Sequence, residues 1–264
     1  MKIRPPAVAN QFYPGNAHSL KQAVLEALAE APGFEVPGNL KAVIVPHAGY
    51  KYSAGIAAHC YKLFKGLAPG IRWKVLLLGP SHHVPFGGAA ASEFEKWETP
   101  LGEVVVRDIR DEIGECENIA DVPGASDSEH SLEVQLPFLQ MVLGDFELYP
   151  LMLGSVRGDI LGEELSEFVA RPDVIVVVSS DLSHFMPGNK ARELDLATSK
   201  AILDLDIERF AEVGDACGRM GIVTLMYLAK KLGWKGKMLK YANSGDVTGD
   251  YSKVVGYGAY AFIN

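Results

Sequence analysis

The stretch that decides the fold is VIVVVSSDLSH at residues 174–184, in which an unbroken apolar run turns polar at its carboxyl end. Two other stretches have the same form, VIVPH at 43–47 and VLLLGPSHH at 75–83. Short apolar runs rich in Val, Ile and Leu are typical of buried parallel strands. Ligands of open α/β sheets bind in the crevice beyond the carboxyl ends of such strands. Three strands that each lead into histidine therefore indicate a metal or acid–base site at one edge of a sheet.

The regions around these runs alternate between helical and strand patterns, which predicts an α/β protein. Further strands are expected at 89–92, 103–107, 146–153, 236–242 and 254–263, and the glycines of the last indicate that it is antiparallel. Helices are expected at 19–30, 53–65, 129–142, 159–170, 190–205, 207–213 and 219–232. Ser19 is the expected N-cap of the first helix, and Pro137 should kink or split the helix that contains it. We find no repeat and no linker, and therefore expect a single domain over residues 1–264 with a mostly parallel or mixed central sheet flanked by helices.

Composition excludes several classes of protein. The chain has 264 residues and a net charge of −8, whereas a nucleic-acid surface would show a basic excess. Its three cysteines are far apart and form no CxxC pair, so a disulfide framework is not expected. No signal peptide and no apolar run of about 20 residues is present. We expect a soluble, cytoplasmic protein that binds neither nucleic acid nor membranes.

Two of the strand ends carry candidate metal ligands. His47 follows the first run, and the pair His82 and His83 follows the second. Successive side chains diverge, so only one histidine of the pair can reach the crevice. Two imidazoles at one site suit Zn, Fe or Cu. The alternative for His47 is a turn histidine that forms a hydrogen bond with the backbone. The alternative for His82 and His83 is that both are solvent-exposed loop residues.

The third strand end and one helix start offer acid–base groups. If a helical turn follows residue 179, Asp181 and His184 share a face, and the carboxylate can orient the imidazole as a general base. The alternative is that Asp181 is a helix N-cap. His130 and Glu133 have the same spacing and could supply a ligand, a substrate contact or a supporting hydrogen bond, or could simply be a solvated helix start. Cys217 could be a reactive thiol, but a small buried residue is the expected role.

The chain resembles the Memo-like family, also called AmmeMemoRadiSam system protein B. The resemblance rests on motifs that occur in order over essentially the whole chain: RPPAVA (4–9), FYP (12–14), PHAGY (46–50), GPSHH (79–83), WETPLG (97–102), EHSLE (129–133), SSDLSH (179–184), CGR (217–219) and YANSGD (241–246). It implies a single α/β domain related to the class III extradiol dioxygenases, the LigB-like fold.

The resemblance also implies site residues. His47 and His82 match metal-ligand positions in a cleft, Asp181 and His184 lie in the same cleft, and His130 is nearby. His83 then becomes a supporting residue. Some family members carry a cysteine as third ligand, and counting from Tyr241 places Val247 there. Val247 cannot bind a metal, so we expect Asp246 to complete a two-histidine, one-carboxylate triad of the kind that non-haem Fe(II) oxygenases use.

The histidines predict a metal-binding protein, and the resemblance implies dioxygenase-like oxidoreductase activity. Fe(II) is the expected metal, although Cu or Zn would suit the same ligands, and His184, Asp181 and His130 are the expected catalytic residues. The alternatives are a metal-assisted hydrolase, a metal-handling protein, and a non-enzymatic module that binds peptides or phosphorylated ligands. The expected partners are a small molecule or peptide in the cleft and, from the family's name, radical-SAM and AMMECR1-like proteins.

Overall fold

The apolar runs that open the sequence argument form adjacent strands at the centre of one mixed sheet. A computed structural model describes residues 2–34 and 38–264. Its strands are β1 Ile3–Arg4, β2 Leu40–Val45, β3 Trp73–Pro80, β4 Ala89–Ala91, β5 Lys96–Thr99, β6 Gly102–Val106, β7 Ile119–Asp121, β8 Phe146–Leu153, β9 Val174–Ser179, β10 His184–Met186, β11 Lys235–Asn243 and β12 Val254–Ile263. Its α-helices are α1 Ala17–Glu30, α2 Tyr50–Tyr61, α3 Arg110–Ile113, α4 Leu136–Leu143, α5 Gly158–Val169, α6 Gly188–Leu203, α7 Ile207–Val213, α8 Arg219–Leu232 and α9 Gly245–Thr248.

The sheet order brings the predicted histidine-bearing strands together. The strands run β1-β5-β6-β8-β3-β9-β2-β12-β10, while β11 pairs with β12, and β4 joins β8 to β7. Strands β8, β3, β9 and β2 are parallel neighbours, so their carboxyl ends lie at one edge. Strand β12 is antiparallel to β2, β10 and β11, as the glycine pattern predicted. The α/β class and the mixed central sheet are therefore confirmed.

Both faces of the central strands are covered, which explains why their sequences are continuously apolar. Val43 and Val75 point to one face, where they join a core that includes residues of α1, α2 and α4. Their neighbours Ile44 and Leu76 point to the other, where α5, α7 and α8 contribute. Within the described residues, no helix combines the length and apolar character needed to cross a bilayer.

Two local expectations were wrong. The helix expected from residue 129 begins at Leu136, after a 3₁₀ turn at Glu133–Gln135, and Pro137 lies in its first turn. N–H groups in the first turn have no acceptor within the helix, so a proline there costs no helical hydrogen bond. Helix α1 is capped by Asn16 and not by Ser19, because the Asn16 side chain accepts hydrogen bonds from the backbone N–H groups of residues 18 and 19.

Candidate metal centre

Three histidines from distant parts of the chain meet beyond the carboxyl edge of the sheet. His47 follows β2, His82 follows β3, and His130 precedes the 3₁₀ turn before α4. The ring centroids of His82 and His130 are 4.6 Å apart and the rings are stacked, while His47 lies 5.2 Å from His82 and 5.4 Å from His130. One ligand nitrogen from each ring lies within 4.8 Å of the other two. The arrangement could hold a single metal ion.

Hydrogen bonds fix the tautomer of His47. The hydroxyl of Ser179 donates its one proton to the carbonyl of Ser131 at 2.5 Å and accepts a hydrogen bond from the amide of Gln135. His47 Nδ1 lies 3.0 Å from the same hydroxyl oxygen, and Nδ1 must be the donor because the hydroxyl has no second proton. Burial, with His130 and His82 nearby, holds the pKa of His47 well below its usual range. The ring is therefore neutral, with a lone pair at Nε2.

A buried carboxylate orients His82. Glu129 accepts a hydrogen bond from His82 Nδ1 at 2.9 Å and others from the backbone N–H groups of His82, His130 and Ser131. Although burial opposes ionisation, these donors lower the pKa of Glu129 to about 2. An ionised carboxylate can only accept, so Nδ1 of His82 carries the proton and Nε2 faces away with its lone pair. Carboxylates commonly support metal-binding histidines in this way.

His130 completes the group. Its ring packs against His82 on one side and against Phe12 at 4.5 Å on another. Burial lowers its pKa to about 4, and the neighbouring His82 contributes in the same direction. His130 is therefore neutral at pH 7 and can offer a nitrogen lone pair. His130 is expected from sequence to be catalytic, whereas its ring lies beside the two candidate ligands.

Asp246 lies outside this group. Its carboxylate accepts hydrogen bonds from the backbone N–H of Asn243 and from the hydroxyl of Tyr251, which lie on either side of helix α9. In the part of the chain that the structure describes, no group of ligand atoms within 4.8 Å of one another combines it with His47 and His82. His130 replaces Asp246 as the candidate third ligand.

Asp181 and His184 are not arranged as the sequence argument expected. No helical turn follows β9, and His184 instead begins strand β10. The buried Asp181 carboxylate accepts hydrogen bonds from the backbone N–H groups of His47, at 2.8 Å, and of Ala48. It therefore holds the loop that carries His47. Burial raises the pKa of Asp181 to about 7. His184 is half-buried and close enough to contribute to the lowered pKa of His47.

Cys217 lies against the site, although from sequence it is expected to be only a small buried residue. Its Sγ is 3.2 Å from His47 Nε2 and accepts a hydrogen bond from the backbone N–H of Asp181. Burial raises the pKa of this thiol to about 12, and the Asp181 carboxyl adds to the effect. The protonated thiol can therefore donate to the lone pair of His47. The sequence signal that favours a place at the site is the CGR motif at 217–219.

Glu129 was also missed as a site residue. From their spacing, His130 and Glu133 could act together. In the structure, Glu133 belongs to a separate buried network. Its carboxylate pairs with Arg4 and accepts hydrogen bonds from the Tyr13 hydroxyl and two backbone N–H groups near the N-terminus. Glu133 thus anchors the N-terminal segment. The adjacency of Glu129 and His130 in EHSLE was the available signal.

Two cavities adjoin the site. One of about 300 Å³ lies beyond β3 and β8, and its lining includes Ser81, Phe86, Cys217 and Arg219. A cleft of about 640 Å³ is lined by residues that include Phe12, Tyr50, Tyr52 and Val247, and Phe12 joins it to His130. A larger cavity of about 800 Å³, lined by residues such as Leu40 and Trp73, lies at the opposite end of the central strands and is not part of the site.

Comparisons with known proteins agree over the whole chain. The sequence profile of the family described as "Memo-like protein" matches residues 4–261. A MEMO1 family protein of Aquifex aeolicus is 37% identical over 276 residues, with all of both chains covered. A MEMO1 family protein of Nitrosopumilus maritimus is 35% identical over 277 residues, which cover 99% of this chain and all of the relative. One from Sulfolobus acidocaldarius is 37% identical, with 97% of each chain covered.

Proposed function

The chain belongs to the Memo-like family, and we propose that it is a metal-binding protein that holds a divalent transition-metal ion on His47, His82 and His130. One observation carries the proposal: three imidazoles from separate strand ends and loops present ligand nitrogens within 4.8 Å of one another. The lowered pKa values of His47 and His130 support it, because a metal ligand must be deprotonated.

The donor set restricts the metal. Imidazole nitrogens suit Zn, Fe, Ni and Cu, whereas Mg²⁺ and Ca²⁺ prefer oxygen ligands. Ser179 holds the ring of His47 and Glu129 holds that of His82, so both side chains are fixed before an ion arrives. A bound transition metal would supply Lewis-acid or redox chemistry here.

For activity, we propose oxidation by O2 of a small chelating substrate, with Fe(II) as the metal, as the sequence resemblance to extradiol dioxygenases would imply. His184 would transfer protons to or from the substrate, from its half-buried position near His47. Asp181 would keep the His47 loop in place and hold a proton near neutral pH.

Oxygen consumption tests this activity. The metal-free protein is loaded with Fe(II) under anaerobic conditions and mixed with oxygenated catechols of varied substitution. Substrate-dependent oxygen uptake that His184→Gln reduces, at unchanged iron content, would support the proposal. Iron that binds at one equivalent without any uptake over the panel would refute the oxidative activity and leave metal binding intact.

A second candidate is metal-assisted hydrolysis. The observation in its favour is the third ligand, which is a neutral imidazole and not the carboxylate of an iron facial triad. Three histidines with an open position form a ligand set of catalytic zinc. Elemental analysis of protein purified without added metal separates the candidates, since zinc alone would favour hydrolysis and iron would favour oxidation.

A further inference from the structure

A second group of ligand atoms overlaps the triad of His47, His82 and His130. His83, Glu129 and His130 also present ligand atoms within 4.8 Å of one another. In this second group His83 is exposed, His130 is intermediate and Glu129 is buried. The triad also has an exposed member, His82, but it ends at the buried His47. His130 belongs to both groups, so the two sets of ligands are adjacent and joined by a common residue.

His83 is available as a ligand. Its ring lies edge-on to that of His130, with centroids 6.2 Å apart. Because His83 follows His82 directly, the two side chains leave the backbone in different directions. Within the described residues, its side chain makes no hydrogen bond that would hold the ring elsewhere. The imidazole can therefore meet an ion arriving from solvent.

Glu129 adds charge and a lone pair. Its Oε1 accepts hydrogen bonds from His82 Nδ1 and from two backbone N–H groups, whereas Oε2 accepts only the backbone N–H of His82. Oε2 thus has one hydrogen-bond partner and Oε1 has three, so Oε2 is the less occupied oxygen and the one that can meet a metal ion. Its Oε1 also lies 3.2 Å from Nδ1 of His130, so the carboxyl group is held between the rings of His82 and His130.

We propose that His83, Glu129 and His130 form an outer station through which a divalent transition metal reaches the inner triad. The proposal rests on the proposed metal-binding function and adds a route to it. His130 can stay bound to the ion while His83 and Glu129 release it and His82 and His47 bind it. The ion therefore need not return to water between the two positions. The negative carboxylate attracts the cation toward this route.

Loading kinetics test the route. Metal-free protein is mixed rapidly with Co(II) alone, and the visible absorption of bound cobalt is followed over time. His83→Ala should slow loading at limiting Co(II) by about tenfold, an effect of the size that local fields and ligands have on association. Its equilibrium affinity should remain that of the wild type. His18→Ala is the matched control, because His18 is an exposed histidine on α1, and it should load at the wild-type rate.

A second measurement detects the outer station itself. His47→Ala removes an inner ligand and should retain weak Co(II) binding, which the double variant His47→Ala/His83→Ala should lose. Equal loading rates for wild type and His83→Ala would overturn the route while leaving the triad standing. Equal Co(II) binding by the single and double His47 variants would overturn the station. If His47→Ala binds as tightly as the wild type, the proposed triad is wrong and the route is refuted with it.

Discussion

Replacement of Glu129 by glutamine should weaken metal binding, although Glu129 is not a ligand of the inner triad. Glu129 donates nothing and accepts four hydrogen bonds, one of them from the ring of His82. Glutamine is nearly the same size, but its amide nitrogen replaces one of the two acceptor oxygens. That nitrogen is a donor and would face an N–H group, so at least one hydrogen bond is lost. Loss of such a supporting carboxylate lowers metal affinity by about 10–100-fold, or roughly 1.4–2.7 kcal/mol.

The same variant should lose stability in a defined pH window. The pKa of Glu129 is about 2 in the folded protein against an ordinary 4.5, which corresponds to roughly 3 kcal/mol. Because the folded-state pKa is the lower one, this contribution is present above pH 4.5 and disappears as the pH falls toward 2. The difference in unfolding free energy between wild type and Glu129→Gln should therefore shrink on acidification.

Competition for Zn(II) with a chromophoric chelator at pH 7 measures the affinity, and urea unfolding at several pH values measures the stability. Glu193→Gln is the control, since Glu193 is an exposed glutamate of α6 and its loss removes the same charge. An affinity for Zn(II) equal in wild type and Glu129→Gln would show that the carboxylate does not support a metal-binding ring, and our reasoning about His82 would fail.

Three further changes test other parts of the structure. Glu133→Gln leaves Arg4 buried without its carboxylate, and should cost about 3–5 kcal/mol in urea unfolding; a loss below about 1 kcal/mol would contradict a structural role. Cys217→Ala should leave Zn(II) affinity nearly unchanged, because the thiol contacts His47 without joining the triad; a fall well beyond about 100-fold, more than loss of a supporting group causes, would make it a ligand. Asp181→Asn should remove a pH dependence. Because the pKa of Asp181 is raised, the wild type loses stability relative to the variant as the pH rises from 3.8 to about 7. The loss is at most about 1.4 kcal/mol per pH unit, and parallel curves of unfolding free energy against pH would refute this.

The central sheet could be predicted because its signal is local. Strands buried on both faces need continuous apolar runs, and the expected bounds 146–153 and 174–179 match β8 and β9. The start of α4 could not be predicted in this way. Residues 129–133 carry a helix-like pattern, but their backbone is held by contacts with distant residues, such as the hydrogen bond that the Arg4 guanidinium donates to the carbonyl of Glu129.

The candidate site was predictable where it depends on strand ends and not where it depends on loop packing. His47 and His82 follow parallel strands, so their meeting follows from topology. The position of the third candidate ligand, His130, depends on how the 129–133 segment packs over the sheet edge. A count from Tyr241 could not reveal that the Asp246 carboxylate forms hydrogen bonds with Asn243 and Tyr251. Asp181 was assigned to His184 by local spacing, yet it bonds the backbone of a loop 134 residues away in sequence.

Metal content tests the central claim most directly. Wild type, His47→Ala, His82→Ala, His130→Ala and Asp246→Ala are each stripped, reloaded with Zn(II) and desalted, and bound metal is measured per chain. We predict about one equivalent in wild type and in Asp246→Ala, and loss of most of it in each of the three histidine variants. Equal metal in all five proteins, or loss in Asp246→Ala with retention in His130→Ala, would contradict the triad.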